Sequence, residues 1–164
     1  MADREEVWVF DSSSIIEVRA AVSRADEKSV FNALRGLTVA SHLCWPPEVT
    51  QEVEYAVNPD SAVRWIKANR GSGERTAKLD TVKSVLRTAP ALVDPDAPRE
   101  QADPYVVALA LDLGEGELFG TAVSIVTEDR KDKPTKLSLA TAAGLLRIPT
   151  IPLRAFLRSQ GILP

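Results

Sequence analysis

The sequence predicts an α/β fold, a three-layer arrangement with a mainly parallel central sheet between helices. Two runs of strand formers carry this reading, Val7 to Phe10 and Ala122 to Thr127, and each gives way at once to acidic residues. Between and after them the apolar residues recur at helical spacing. Strands that alternate with helices pair in parallel, because the crossover helix returns the chain to the same end of the sheet.

The first run, Val7-Trp8-Val9-Phe10, ends in Asp11-Ser12-Ser13-Ser14 and then Ile15-Ile16, which reads as a buried strand, a tight turn and a helix start. Ile15, Ile16, Val18 and Val22, then Val30, Phe31 and Leu34, predict two short helices that stop at Gly36. Residues 37–45 are mostly strand-compatible and end at Pro46-Pro47, where a helix running from Glu48 to about Val57 begins. Val49 and Val53 face inward, so Glu48 and Glu52 share another face one turn apart. Asn58-Pro59-Asp60-Ser61 breaks this helix and caps the next, which carries Ala62, Trp65 and Ile66. Gly71-Ser72-Gly73 reads as a loop without the spacing of a phosphate cradle.

Leu79, Val82, Val85 and Leu86 mark another amphipathic helix, ended by Pro90. Asp103-Pro104 opens an almost wholly apolar helix stopped by Gly114. Ala122 to Thr127 is a central strand ending in Glu128-Asp129, and 131–134 is a loop. Leu137 to Arg147 suits a helix, Ile148 to Ile151 a short strand, and Leu153, Phe156 and Leu157 a terminal helix.

With 164 residues, 45% of them hydrophobic and 26% charged, the chain can bury one core, and a single domain over residues 1–164 is expected. No apolar run approaches transmembrane length and the first six residues lack a signal-peptide plan, so a cytoplasmic protein without membrane contact is expected. One cysteine, Cys44, excludes an internal disulfide, and one histidine, His42, leaves too few soft ligands for ordinary zinc. Any metal here needs oxygen ligands. The net charge of −3 hides an asymmetry, for residues 1–60 hold eleven acids and five bases, whereas residues 61–88 hold seven bases and two acids. Such a basic island is either a solvated helical face or a track for a phosphate backbone.

Four acids stand at punctuation points. Asp11 and Asp129 follow strands, Glu52 and Asp103 lie in the first turns of helices, and the crevice outside the carboxyl ends of parallel strands is where ligands bind. Capping explains Asp11, Ser12 or Asp103 taken singly. Taken together, clustered carboxylates raise one another's pKa, a penalty that a divalent cation removes. Mg²⁺ and Mn²⁺ prefer such oxygen donors and activate water against phosphodiesters. That chemistry requires no serine, cysteine or histidine nucleophile.

The stretches Val9-Phe10-Asp11-Ser12-Ser13-Ser14-Ile15, Pro47-Glu48-Val49-Thr50-Gln51-Glu52, Ala102 to Ala110 and Val126-Thr127-Glu128-Asp129 occur in the order of a known family. The chain resembles the PIN-domain ribonucleases, and among them the VapC toxins of type II toxin–antitoxin pairs. The resemblance implies a PIN-like fold and an Mg²⁺- or Mn²⁺-dependent endoribonuclease in which Asp11, Glu52, Asp103 and Asp129 are metal-binding and catalytic, supported by Thr127 and Ser12. Glu48 is an alternative to Glu52, and Glu128 to Asp129. It also implies an RNA substrate, a cognate antitoxin and a homodimer. The polar run Arg130-Lys131-Asp132-Lys133 departs from the family, which commonly places an apolar or aromatic residue there.

Two other readings compete. An aspartyl phosphatase is disfavoured because position 13 is serine where a second acid is wanted. A non-catalytic PIN-like module that binds RNA or protein keeps the fold without the chemistry.

Overall fold

The computed structural model describes residues 5–56, 60–115 and 121–164. The expected helix end at Val57 and the Asn58-Pro59 break lie outside them. In chain order the elements are β1 (Glu6–Phe10), α1 (Ser12–Ala21), α2 (Glu27–Val39), β2 (Leu43–Cys44), α3 (Pro47–Ala56), α4 (Ser61–Ala68) and α5 (Arg70–Gly73). Then follow α6 (Leu79–Thr88), α7 (Asp103–Gly114), β3 (Ala122–Val126), α8 (Leu139–Leu145), β4 (Thr150–Ile151) and α9 (Leu153–Ser159).

The four strands form one sheet in the order β2-β1-β3-β4, with every pairing parallel. The expected α/β class with a parallel sheet is what the chain adopts. From β1 the chain goes to one neighbour, β2, and later crosses to the other, β3, so the gap between the carboxyl ends of β1 and β3 is a topological switch point. Asp11 leaves β1 at this point and Thr127 leaves β3. The two ends are stitched together, since the Asp11 N–H donates to the Val126 carbonyl at 3.1 Å and the Ser14 hydroxyl donates to the same oxygen at 2.7 Å.

The core packs around β1 and β3. Val9, Phe10, Ile125 and Val126 are fully buried, as are Val106, Val107 and Ala108 of α7. The near-continuous apolar runs of β1 and α7 follow from this, because both are covered on more than one side. Phe156 of α9 closes the core with edge-on contacts to Trp8 at 5.0 Å and to Phe10 at 5.1 Å. Trp45 and Trp65 pack 5.4 Å apart, so these aromatic side chains serve the interior, and Cys44 is a buried thiol pushed up to about 11 by desolvation.

Two expectations fail. The strand expected over residues 37–45 is confined to Leu43–Cys44, because α2 does not stop at Gly36 and runs on to Val39. Val30, Leu34 and Thr38 continue one buried stripe at four-residue spacing, and this packing overrides the strand preference of the β-branched residues. The helix ends at Ser41, whose φ of 64° lets the N–H of His42 reach the Leu37 carbonyl at 2.9 Å and that of Ser41 the Thr38 carbonyl at 3.1 Å. The expected loop Gly71-Ser72-Gly73 is instead part of the short helix α5. Smaller shifts occur late in the chain, where β4 begins at Thr150 and not at Ile148. The bases of the 61–88 island are exposed apart from the half-buried Arg75, as on a solvated helical face. No helix among the described residues is long and apolar enough to cross a membrane.

Candidate metal centre

Asp11 ends β1 in an extended conformation and precedes α1, yet its carboxylate does not cap that helix. One oxygen, Oδ2, instead accepts from the Ser13 hydroxyl at 2.7 Å and the Thr127 hydroxyl at 2.8 Å. The other, Oδ1, accepts from the Ser12 hydroxyl at 3.3 Å. Only 2% of Asp11 is exposed, and that burial holds its carboxyl above the ordinary range, with the charge of Glu52 adding to the rise and the hydroxyl donors opposing it.

Glu52 reaches the same place from α3. Its carboxylate accepts a short hydrogen bond from the Ser12 hydroxyl and, at 3.0 Å, the Ala102 N–H just before α7. Asp103 is the first residue of α7 and is buried, and its side chain likewise caps nothing. Burial pushes its pKa up to about 7, the charge of Asp11 adds to this, and Lys136 opposes it. Carboxylate oxygens of Asp11, Glu52 and Asp103 lie within 4.8 Å of one another. The first turns of α1 and α7 open beside this cluster, and their partial positive charge offsets part of the repulsion.

Asp129 stands at the rim. It helps line the cavity of about 240 Å³ formed with Asp11, Ser12, Ser13, Glu52 and Asp103, but it is not one of the three acids that converge. Its Oδ2 accepts the Leu139 N–H at 3.0 Å at the start of α8 and lies 3.5 Å from the Lys136 ammonium. The alternatives are placed elsewhere. Glu128 turns outward to accept the Leu153 N–H of α9 at 2.6 Å, and Glu48 lies outside the cluster with its pKa raised by burial and by the charges of Glu100 and Glu74.

Thr127 and Ser13 carry more of the site than their turn positions suggest. The Thr127 hydroxyl bonds Asp11 and accepts the Asp129 N–H at 3.0 Å, and the Ser13 hydroxyl bonds Asp11 and accepts the Glu128 N–H at 3.0 Å. Through these two hydroxyls the turn after β3 is locked onto the carboxylate after β1.

Sequence reasoning missed Lys136. Its ammonium donates to Asp103 Oδ2 at 2.7 Å and to the Leu137 carbonyl at 3.2 Å, and it also faces Asp129. Burial works against its charge, but Asp103 and Asp129 outweigh that and hold its pKa up. Nothing in Pro134-Thr135-Lys136-Leu137 marks this lysine out from its basic neighbours. It is found only when the loop folds back over the carboxyl end of the sheet.

The donor set fits a hard divalent cation. Three carboxylates with no sulfur or imidazole among them suit Mg²⁺ or Mn²⁺, and each is already oriented by hydroxyl, amide or ammonium donors. Lys136 and a cation compete for Asp103. Replacing Lys136 with Met is therefore expected to tighten Mn²⁺ binding about tenfold, near 1.4 kcal/mol, as read by titration calorimetry. Unchanged or weaker binding would mean that the lysine does not oppose the ion.

The family comparison matches the DUF4411 domain, described as a domain of unknown function, over residues 8–163. No curated protein matches the chain.

Proposed function

The chain belongs to the DUF4411 family, and from that premise we propose that it is a metal-dependent endoribonuclease of PIN type, similar to the VapC toxins. The observation that carries this is the convergence of Asp11, Glu52 and Asp103, from three separate segments, on one cavity at the switch point of a parallel sheet. Buried carboxylates brought this close are a poor way to stabilise a fold and a good way to hold a divalent ion.

Asp11, Glu52 and Asp103 would hold the ion, with Asp129 at the rim beside Lys136. When bound it would supply charge stabilisation to a phosphoryl oxygen and a lowered pKa to water. The chain's own residues do the positioning. Ser13 and Thr127 fix one Asp11 oxygen, while Ser12 and the Ala102 N–H fix Glu52. Lys136 places a positive charge at the cavity wall, where the phosphate of a substrate would lie. Such preorganisation is where most of the rate advantage of phosphoryl chemistry arises.

The partners that follow from this reading are RNA, a cognate antitoxin and a second copy of the chain. The test is direct: the purified protein should cut single-stranded RNA in Mn²⁺ and leave it intact in chelator. RNA surviving at stoichiometric enzyme would sink the proposal. One observation favours the second reading, a non-catalytic module, since Lys136 already neutralises part of the acidic site. In that case calorimetry would detect no ion binding to the wild-type protein.

A further inference from the structure

Beside the acidic cavity lies a second one of about 390 Å³, lined largely by apolar surface and by Tyr55, Pro98, Arg99 and Gln101. Glu52 and Gln101 line both cavities, so the two adjoin. Tyr55 follows Glu52 by three residues on α3, which puts the ring and the carboxylate on one helix face with Cβ atoms about 5–6 Å apart. Tyr55 is 63% exposed, a large aromatic side chain at the mouth of a charged site.

Over this ring lies Arg99, its guanidinium carbon 3.0 Å from the centroid. Among the described residues Arg99 has no carboxylate partner, although Glu100 beside it accepts the Tyr105 hydroxyl. The segment that carries Arg99 is tied down at both ends. Gln101 clasps the backbone of Asp94 through two hydrogen bonds of 3.1 and 3.0 Å, and the Ala102 N–H binds Glu52. A flat cation on a flat ring, carried by a segment tied at both ends beside the acidic cavity, is a stacking plate with a charge complementary to a nucleic-acid backbone.

We propose that Tyr55 and Arg99 form a subsite for an unpaired nucleobase of single-stranded RNA, next to the phosphate held at the acidic cavity. The base stacks on the Tyr55–Arg99 pair, and Arg99 turns its donors toward the adjoining phosphate. This rests on the ribonuclease reading and adds the element that selects an unstacked strand over a duplex, because a paired base cannot present its face to the plate. Stacking of this kind tolerates any base, so the subsite sets strandedness and register.

The test uses a fluorescein-labelled RNA of about ten nucleotides, with Ca²⁺ present, and fluorescence anisotropy on the full chain. Tyr55→Ala is expected to weaken binding about tenfold, Tyr55→Phe to leave it near wild type, and Arg99→Ala to weaken it and flatten its salt dependence. Moving one abasic residue along the strand should cost wild-type affinity at a single position, and that cost should vanish in Tyr55→Ala. Mn²⁺ affinity should be the same in all four proteins. If Tyr55→Ala binds and cuts RNA as wild type does, with the same abasic profile, the subsite is wrong and the ribonuclease reading stands. If wild type binds no RNA at all, both fall together.

Discussion

Asp11→Asn should lower Mn²⁺-dependent RNA cleavage by ~10³-fold or more while leaving the protein folded, with unchanged or greater resistance to urea. The substitution is isosteric, so the amide oxygen can still accept from Ser13 and Thr127. What disappears is the negative charge of the most buried member of the cluster, and with it a ligand that no neighbour can replace. The stability part follows from linkage. A carboxyl whose native pKa is raised above its unfolded value binds more protons when folded, so its contribution to stability is present at low pH and is lost as pH rises through the native pKa. Asp11 is raised by burial, and Asp103 is raised to about 7. Ion-free wild type should therefore lose stability between about pH 4 and 7, and Asp11→Asn should lose less. A variant that keeps more than a tenth of wild-type cleavage, or that unfolds outright at neutral pH, would show that Asp11 is a structural residue.

The fold was legible where sequence patterns were unambiguous. Val7 to Phe10 and Ala122 to Val126 are strands because each is a short run rich in β-branched or aromatic residues cut off by a turn, and α7 is a helix because Asp103-Pro104 starts and Gly114 ends an almost wholly apolar run. The extent of α2 was not legible. Its end uses Ser41 in a left-handed conformation where glycine is the usual signal, and α8 ends the same way at Arg147, with a φ of 60°. Gly36, which resembled a stop, sits in mid-helix. At the site, Asp11 was marked by its place at a strand end and Asp103 by its place at a helix start, whereas Glu52, expected in a first turn, stands one turn further into α3, where Glu48 holds the first-turn position. The three do converge. Lys136 was invisible, because an ion pair that closes across a loop has no period and no fixed spacing. The same limit hides Arg99, which lies in the segment linking α6 to α7 and meets Tyr55 of α3 only in the folded chain.

Gly73→Ala should destabilise the protein by about 3 kcal/mol, lowering the melting temperature by roughly 6–12 °C. A β-carbon at position 73 would stand 2.1 Å from Trp45 Cη2, 2.2 Å from Cζ3 and 2.9 Å from Cζ2. The indole has nowhere to go. It is fully buried, packs on Trp65 and donates through Nε1 to the Thr50 hydroxyl at 2.9 Å. The backbone is equally fixed, since the Trp45 N–H donates to the Gly73 carbonyl at 3.0 Å and the Trp45 carbonyl accepts the Arg75 N–H at 2.9 Å. The clash thus bears on α3, which carries both Thr50 and Glu52, and Mn²⁺ affinity should fall with stability. Trp45→Phe removes the outer ring that meets position 73 and costs stability by itself through the cavity and the lost hydrogen bond from Nε1 to the Thr50 hydroxyl, which keeps Glu74 as its acceptor. The double variant should be more stable than the sum of the single effects allows, by about 1–2 kcal/mol in urea titrations. Strict additivity, or a Gly73→Ala protein as stable as wild type, would show that the contact between the indole and the glycine does not restrain α3.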